Sequence, residues 1–291
     1  MAIYYFAELC RFLVCKLPAS LCYLLARVAG DVLYLIWVRG RRNIKENVAC
    51  ILGSQANSNV VRRVARQCMR NFCKYAIDFL RFSCLQPRLE EDKISLYGLE
   101  NLNTALEEGK GAILVSLHLG NWDLGVRFIG RLGYPVNAIV ETLKIGQLDK
   151  FVRKYRANLG VRLIATKEGV SKMVEVLRRN ELLALLIDSP KYEKGIEVKF
   201  GDKLAILPAG AATLALRTGA KIIPCGLVRL SNNTFWGFIS EHVHFQPSGD
   251  LTKDIRELTQ RIALALEGTV RQFADQWYMF RPLSKGICQQ S

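Results

Sequence analysis

GAILVSLHLGNWDLG, Gly111 to Gly125, reads as a strand running into a loop and then a helix. The apolar run Ala112 to Leu117 has the length of a buried strand. His118 follows it, then the turn signal Gly120-Asn121, then Trp122 and Asp123. On one continuous helix, residues five apart point about 140° away from each other, so His118 and Asp123 could not cooperate there. With His118 in the loop and Asn121 capping a following helix, Asp123 falls in the first turn and can reach back. A carboxylate on one imidazole nitrogen fixes the tautomer and leaves the other nitrogen as a general base. The sequence has only three histidines, and this one stands where α/β folds place chemistry, at the end of a strand.

The block resembles the His-x4-Asp/Glu motif of membrane glycolipid and lysophospholipid acyltransferases. It is most similar to the branch of the lipid A late acyltransferases and the phosphatidylinositol mannoside acyltransferases. That branch typically reads His-x-Gly-Asn-Trp-Glu/Asp, filled here by His118, Gly120, Asn121, Trp122 and Asp123. The resemblance covers about residues 5 to 283 and implies an α/β/α acyltransferase fold with a groove at the strand ends.

Half of the 291 residues are hydrophobic, the formal net charge is +15, and the mean hydropathy is +0.11. The length suffices for an α/β domain with an ample core. Basic excess on an apolar chain points to an anionic membrane surface, or to an anionic substrate such as a phospholipid or coenzyme A. Nucleic acid is not the expected partner, since no zinc-finger, RNP-like or helix-turn-helix pattern accompanies the charge. The nine cysteines, at 10, 15, 22, 50, 68, 73, 84, 225 and 288, are odd in number and lack CxxC spacing. They read as reduced, buried thiols. His242 and His244 alternate as strand neighbours would, but they do not suffice for a zinc site, and neither metal nor cofactor is expected.

Residues 1 to 38 are apolar and aromatic, interrupted by Glu8, Arg11, Lys16, Arg27 and Asp31. The uncharged stretch Leu17 to Ala26 is far short of the roughly 20 residues that span a bilayer. A signal peptide's basic start is absent. Two readings stay open, a helix pair lying at a membrane interface or a hydrophobic helix buried in the core. A helix from about Asn59 to Phe82 places Arg62, Arg66, Arg70 and Lys74 at every fourth residue, beside Val60, Val64, Cys68, Phe72 and Ile77. Such a stripe suits anionic headgroups, and equally a solvated face.

From Ile94 onward strand and helix alternate, with strands at Pro135 to Val140, Val161 to Ile164, Leu182 to Ile187, Lys221 to Arg229 and Phe235 to Ile239. A last helix, about Lys253 to Trp277, has Ile255, Leu258, Ile262, Leu266, Val270, Phe273 and Trp277 on one packing face. The expected fold is α/β, a mainly parallel sheet flanked by helices on both faces, with an N-terminal hydrophobic helical extension. Residues 1–90 form that extension and 91–291 a continuous catalytic core.

Asp188 ends an apolar strand at a sheet edge where ligands bind. Pro208 to Gly210 opens a helix whose free N–H groups can receive a phosphate or carbonyl oxygen. The run Gly98 to Leu102 also resembles the acyltransferase branch, and Gly195 to Gly201 and Leu207 to Ala212 resemble its mannoside members. The resemblance implies an active-site acid after the strand Val136 to Val140, which is Glu141, and an arginine near the acyl donor, Arg156. A guanidinium suits a phosphate. Glu197 joins Asn121, Arg156, Asp188, Pro208 and Gly210 as an expected substrate-binding residue. Members of the branch tend to read Asp-Arg-Asp where this sequence has Asp188-Ser189-Pro190, so no role passes to Ser189 or Pro190.

The activity so implied is transfer of a fatty acyl group from acyl-CoA or acyl carrier protein to a hydroxyl of a membrane glycolipid or lysophospholipid. The protein would sit peripherally or monotopically on the cytoplasmic face. His118 would act as base and Asp123 as its orienting group, with backbone N–H groups near Gly120 or Pro208 to Gly210 receiving the oxyanion. Two alternatives remain at this stage. The same pair could activate water, as a thioesterase or lipase would, although no Gly-x-Ser-x-Gly elbow is present. A non-catalytic membrane-binding protein is the other.

Overall fold

The computed structural model describes residues 2–53, 55–82, 84, 92–157, 160–188 and 195–283. Four helices come first: α1 (Ala2–Lys16), α2 (Ala19–Ile36), α3 (Val38–Leu52) and α4 (Ser58–Arg81). The alternating part follows as β1 (Ile94–Tyr97), α5 (Leu99–Glu107), β2 (Ala112–Ser116), α6 (Trp122–Arg131), β3 (Val136–Val140), α7 (Gly146–Ala157), β4 (Arg162–Ala165), α8 (Gly169–Arg178) and β5 (Leu182–Leu186). Then come β6 (Ile196–Phe200), β7 (Lys203–Leu207), α9 (Gly210–Thr218), β8 (Lys221–Arg229), β9 (Phe235–Ile239) and α10 (Leu251–Gln272).

Seven strands form one sheet in the order β1-β9-β8-β2-β5-β3-β4. Every neighbouring pair is parallel except β8 with β9. The central strand β2 is buried at all five residues, as a strand covered on both faces must be. Ile113 and Val115 pack with Leu177, Ala212, Leu214 and Ile262 from α8, α9 and α10 on one face. Ala112 and Leu114 pack with Leu102, Leu124, Phe151 and Phe79 from α5, α6, α7 and α4 on the other. The expected mainly parallel sheet between helical layers is the fold observed.

Several local expectations change. The run from Gly195 to Leu207 contains an antiparallel hairpin, β6 with β7, outside the main sheet. The last helix ends at Gln272, and a 3-10 turn over Ala274–Gln276 redirects the chain. Trp277 therefore leaves the helical face on which the periodicity placed it. Cys15 and Cys84 form a disulfide with a Cα–Cα distance of 5.9 Å. They meet because α1 packs along α4, a proximity that a sequence separation of 69 hides.

The basic stripe of α4 also finds protein partners. Asp31 on α2 accepts from Arg66 Nε at 2.7 Å and from Arg70 Nε and Nη2, both at 2.7 Å. Two of the four cations of the stripe are thus committed to α2. The helices approach closely because α2 turns Cys22, Ala26, Gly30 and Tyr34, spaced by four, toward the protein. A Cβ at Gly30 would lie 2.5 Å from Arg70 Cα. Gly30→Ala is expected to cost about 1–3 kcal/mol by overpacking, seen as a lowered thermal midpoint in detergent. An unchanged midpoint would show that α2 and α4 separate freely.

Candidate active site

Sheet register builds the site. Ser116 at the end of β2 pairs with Leu186 at the end of β5. Two residues beyond each lie His118 and Asp188, side by side at the strand ends. His118 Nδ1 is 2.6 Å from Asp188 Oδ1, and the His118 backbone N–H donates to Asp188 Oδ2 at 2.9 Å. Trp277 Nε1 donates to the same oxygen at 3.0 Å. Asp188 is fully buried. Burial alone would raise its pKa, but His118 and the two N–H donors outweigh that and hold it below the usual carboxylate range. An ionised Asp188 cannot donate, so Nδ1 carries the proton and Nε2 is the basic nitrogen. For His118 itself burial pulls the pKa down, the charge and hydrogen bond of Asp188 push it up, and the net direction is up.

The loop that carries His118 is fastened on every side. Gly120 N–H donates to Gln276 O at 2.9 Å, Asn121 N–H to Leu227 O at 2.8 Å, and Tyr278 N–H to His118 O at 2.8 Å. Gly120 has φ +62, and a Cβ there would lie 2.0 Å from Leu227 O, so this left-handed close approach requires glycine. Because Gly120 N–H is spent on Gln276, it is not the oxyanion donor expected from the sequence.

Asp123 occupies the first turn of α6, as the spacing implied, but it does not hold His118. Its carboxylate accepts from Arg156 Nε at 2.8 Å, Arg156 Nη2 at 3.0 Å and the Tyr75 hydroxyl at 2.6 Å. The first turn of α6 directs it toward α4 and α7, where a forked cation is available. Burial works against the Arg156 charge, yet Asp123 outweighs it and raises the arginine's pKa. The carboxylate on His118 is Asp188, a residue that the sequence alone places among those binding substrate.

His118, Glu141, Trp122 and Arg156 line one cavity of about 750 Å³, together with Ile3, Phe6 and Cys10 of α1. A second chamber of about 110 Å³ lies among Leu114, Val126, Phe128, Ala184, Leu227 and Phe238. Trp122, Ile139, Val140, Arg156, Leu185 and Leu186 wall both. Glu141 is exposed at the end of β3, and its charge helps to raise the His118 pKa.

The other expected binding residues fall elsewhere. Asn121 is buried; its side chain accepts from Leu124 N–H at 3.1 Å and donates to Asp78 Oδ2 at 2.9 Å. Both of its polar ends are used inside the protein. Glu197 is exposed on the β6–β7 hairpin, and Pro208 and Gly210, at the start of α9, line neither cavity. Ser189 and Pro190 lie outside the described residues. The His242 and His244 rings lie 4.2 Å apart, tilted by 56° and off any strand, and no group of metal-binding side chains occurs among the described residues. Sequence reasoning missed Trp277, Tyr75 and Asp78, whose helical spacing signals only packing.

A mainly parallel sheet covered on both faces thus carries, at its strand ends, a histidine hydrogen-bonded to a buried carboxylate beside largely apolar cavities, an arrangement suited to an enzyme of apolar substrates. Residues 1–285 match the bacterial lipid A biosynthesis acyltransferase family, and the chain belongs to that family and is an acyltransferase. It is 25% identical to the phosphatidylinositol mannoside acyltransferase of Mycolicibacterium smegmatis, over 84% of this chain and 79% of the relative. It is 26% identical to the protein of that name from Mycobacterium tuberculosis, over 84% of this chain and 77% of the relative.

Were His118 the general base, it would act only as neutral imidazole, and turnover should rise with pH through its raised pKa. The acid limb of kcat/KM is expected above the ordinary histidine range. Asp188→Asn should move that limb to lower pH and reduce kcat by about 100-fold or more. A pH–rate series on the two proteins checks both; an unmoved limb would remove Asp188 as the group that sets the base.

Proposed function

We propose that the chain moves a fatty acyl group from an acyl thioester, acyl-CoA or acyl carrier protein, to a hydroxyl of a membrane glycolipid at the cytoplasmic face of the membrane. The observation that carries this reading is the His118–Asp188 pair opening on an apolar cavity of about 750 Å³ with Arg156 in its wall. The mannoside relatives favour a glycosylated lipid as acceptor.

His118 Nε2 takes the proton of the acceptor hydroxyl as that oxygen bonds to the thioester carbonyl carbon. Asp188 stabilises the imidazolium formed. When the tetrahedral intermediate collapses, the carbon–sulfur bond breaks and the thiolate leaves, recovering the proton from His118. No acyl-enzyme is needed. Arg156 spends Nε and Nη2 on Asp123 and remains a cation in the cavity wall, suited to the oxyanion or to a donor phosphate. The smaller apolar chamber is fitted to hydrocarbon, and Trp122 stands in the wall between it and the base.

Membrane association rests on the outer faces of α1 and α2. Phe6, Leu9, Phe12 and Leu13 on α1, and Leu24, Leu25, Val28, Val32, Leu35 and Ile36 on α2, are exposed. Only 17% of the 18-residue helix Ala19–Ile36 is buried, and its mean hydropathy is 1.6. With Arg27 exposed on the same helix, we read α1 and α2 as lying in the interface.

Thiol release from palmitoyl-CoA by detergent-purified protein, with and without polar lipids, tests the activity. Lipid-dependent release is expected, and His118→Ala should lower it by at least about 100-fold. Equal release without lipid would favour a hydrolase, and a mutant with near-normal turnover would sink the mechanism. Replacing Leu25, Val28 and Ile36 together by Ser should shift the protein from the vesicle pellet to the supernatant in sedimentation through anionic vesicles. Retention of binding would place the membrane contact elsewhere.

A further inference from the structure

The buried face of α4 sends four side chains to the segments that frame His118. Cys68 Sγ lies 3.2 Å from Trp277 O, and Asn71 Nδ2 donates to Asp275 O at 2.9 Å. The Tyr75 hydroxyl donates to Asp123, and Asp78 Oδ2 accepts from Asn121 Nδ2 at 2.9 Å. Asp78 Oδ1 also accepts from the Tyr23 hydroxyl of α2 at 2.8 Å, and Oδ2 receives a short contact from Arg229 Nη2. The Asp78 side chain is only 7% exposed.

A buried ion pair is weak evidence for stability, because removing two charges from water offsets most of their attraction. The position of this one is informative. Asn121 caps α6 by accepting from Leu124 N–H, and serine would cap a helix as well. What asparagine adds is the Nδ2 donor, and Asp78 is what that donor reaches. Fixing both ends of this amide fixes where α6 begins. The loop on its other side holds His118, Leu119 and Gly120.

We propose that Asp78 is a positioning residue of the active site, acting through Asn121 on the loop that aims the His118 imidazole. The proposal rests on His118 being the base, so its test includes a readout independent of acyl transfer. Asn121→Ser keeps a cap and removes the link; Asp78→Asn removes the acceptor charge; the double variant closes the cycle. Each single variant is expected to lower kcat about 10-fold to 100-fold, the scale of a small misplacement of a reacting group. KM for palmitoyl-CoA should stay within about twofold, and the double variant should be no slower than the worse single one. The downfield proton NMR signal of His118 Nδ1–H, assigned by its loss in His118→Ala, should shift or broaden in Asn121→Ser and Asp78→Asn alike.

Additive losses with an unmoved His118 signal would overturn the proposal, as would losses that follow only a fallen thermal midpoint. If Asp78→Asn does not fold, Asn121→Ser, which leaves the Asp78–Arg229 pair intact, decides alone by its kcat and its His118 signal. If wild-type protein transfers no acyl group, the function above fails, and the NMR comparison still decides the positioning.

Discussion

One buried carboxylate organises this protein. Asp188 sits where an ionised group is unfavourable unless hydrogen-bonded, and three N–H donors make it tolerable. Two come from His118, one from its ring and one from its backbone, so the same carboxylate fixes the residue and the plane of its imidazole. The third comes from Trp277, which arrives because α10 stops at Gln272 and the chain turns back toward the sheet. Strand ends β2 and β5 and the C-terminal segment are thereby joined at one point. The interaction that makes the buried charge bearable also fixes the imidazole's tautomer and leaves Nε2 as its basic nitrogen.

Around it the N-terminal helices serve two directions at once. α4 presents Arg66 and Arg70 to Asp31 of α2, and Tyr75 and Asp78 to the motif loop. α2 is narrow on its inner side, where Gly30 admits the backbone of α4, and broad and apolar on its outer side. The charges that composition counted as a membrane attraction are thus divided. Arg66 and Arg70 are paired with Asp31 inside the helical layer, while the outer apolar side chains of α1 and α2 stay exposed.

The fold was legible because its signals are local. Apolar runs of strand length alternating with amphipathic segments specify a covered parallel sheet, and β8 and β9 fall at the residues the pattern indicates. The hairpin β6–β7 was not, since its five-residue strands pair only with each other, outside the alternation of strand and helix. His118 was legible as a histidine closing a buried strand. Asp188 was visible for the same reason, as an acid closing the neighbouring one, but its partnership was not: that depends on β2 and β5 being adjacent and in register, and strand order is a tertiary fact. Trp277 was hidden by its own periodicity, which matches a helix that the chain ends before reaching it.

Asp123 shows why spacing alone assigns the wrong partner. Its position in the first turn of α6 made a bond to His118 geometrically possible, and possibility does not settle competition. A carboxylate offered a forked guanidinium and a phenol takes the charged, two-point contact, and Arg156 and Tyr75 both reach it. The histidine meanwhile already has a carboxylate delivered by the sheet. The acid of the motif therefore acts on Arg156, holding its guanidinium in place in the cavity wall. Arg156 tends to lower the His118 pKa, while Asp188 and Glu141 raise it. The two carboxylates thus have separate partners: Asp188 holds the imidazole, and Asp123 holds the guanidinium that shares the cavity wall with it.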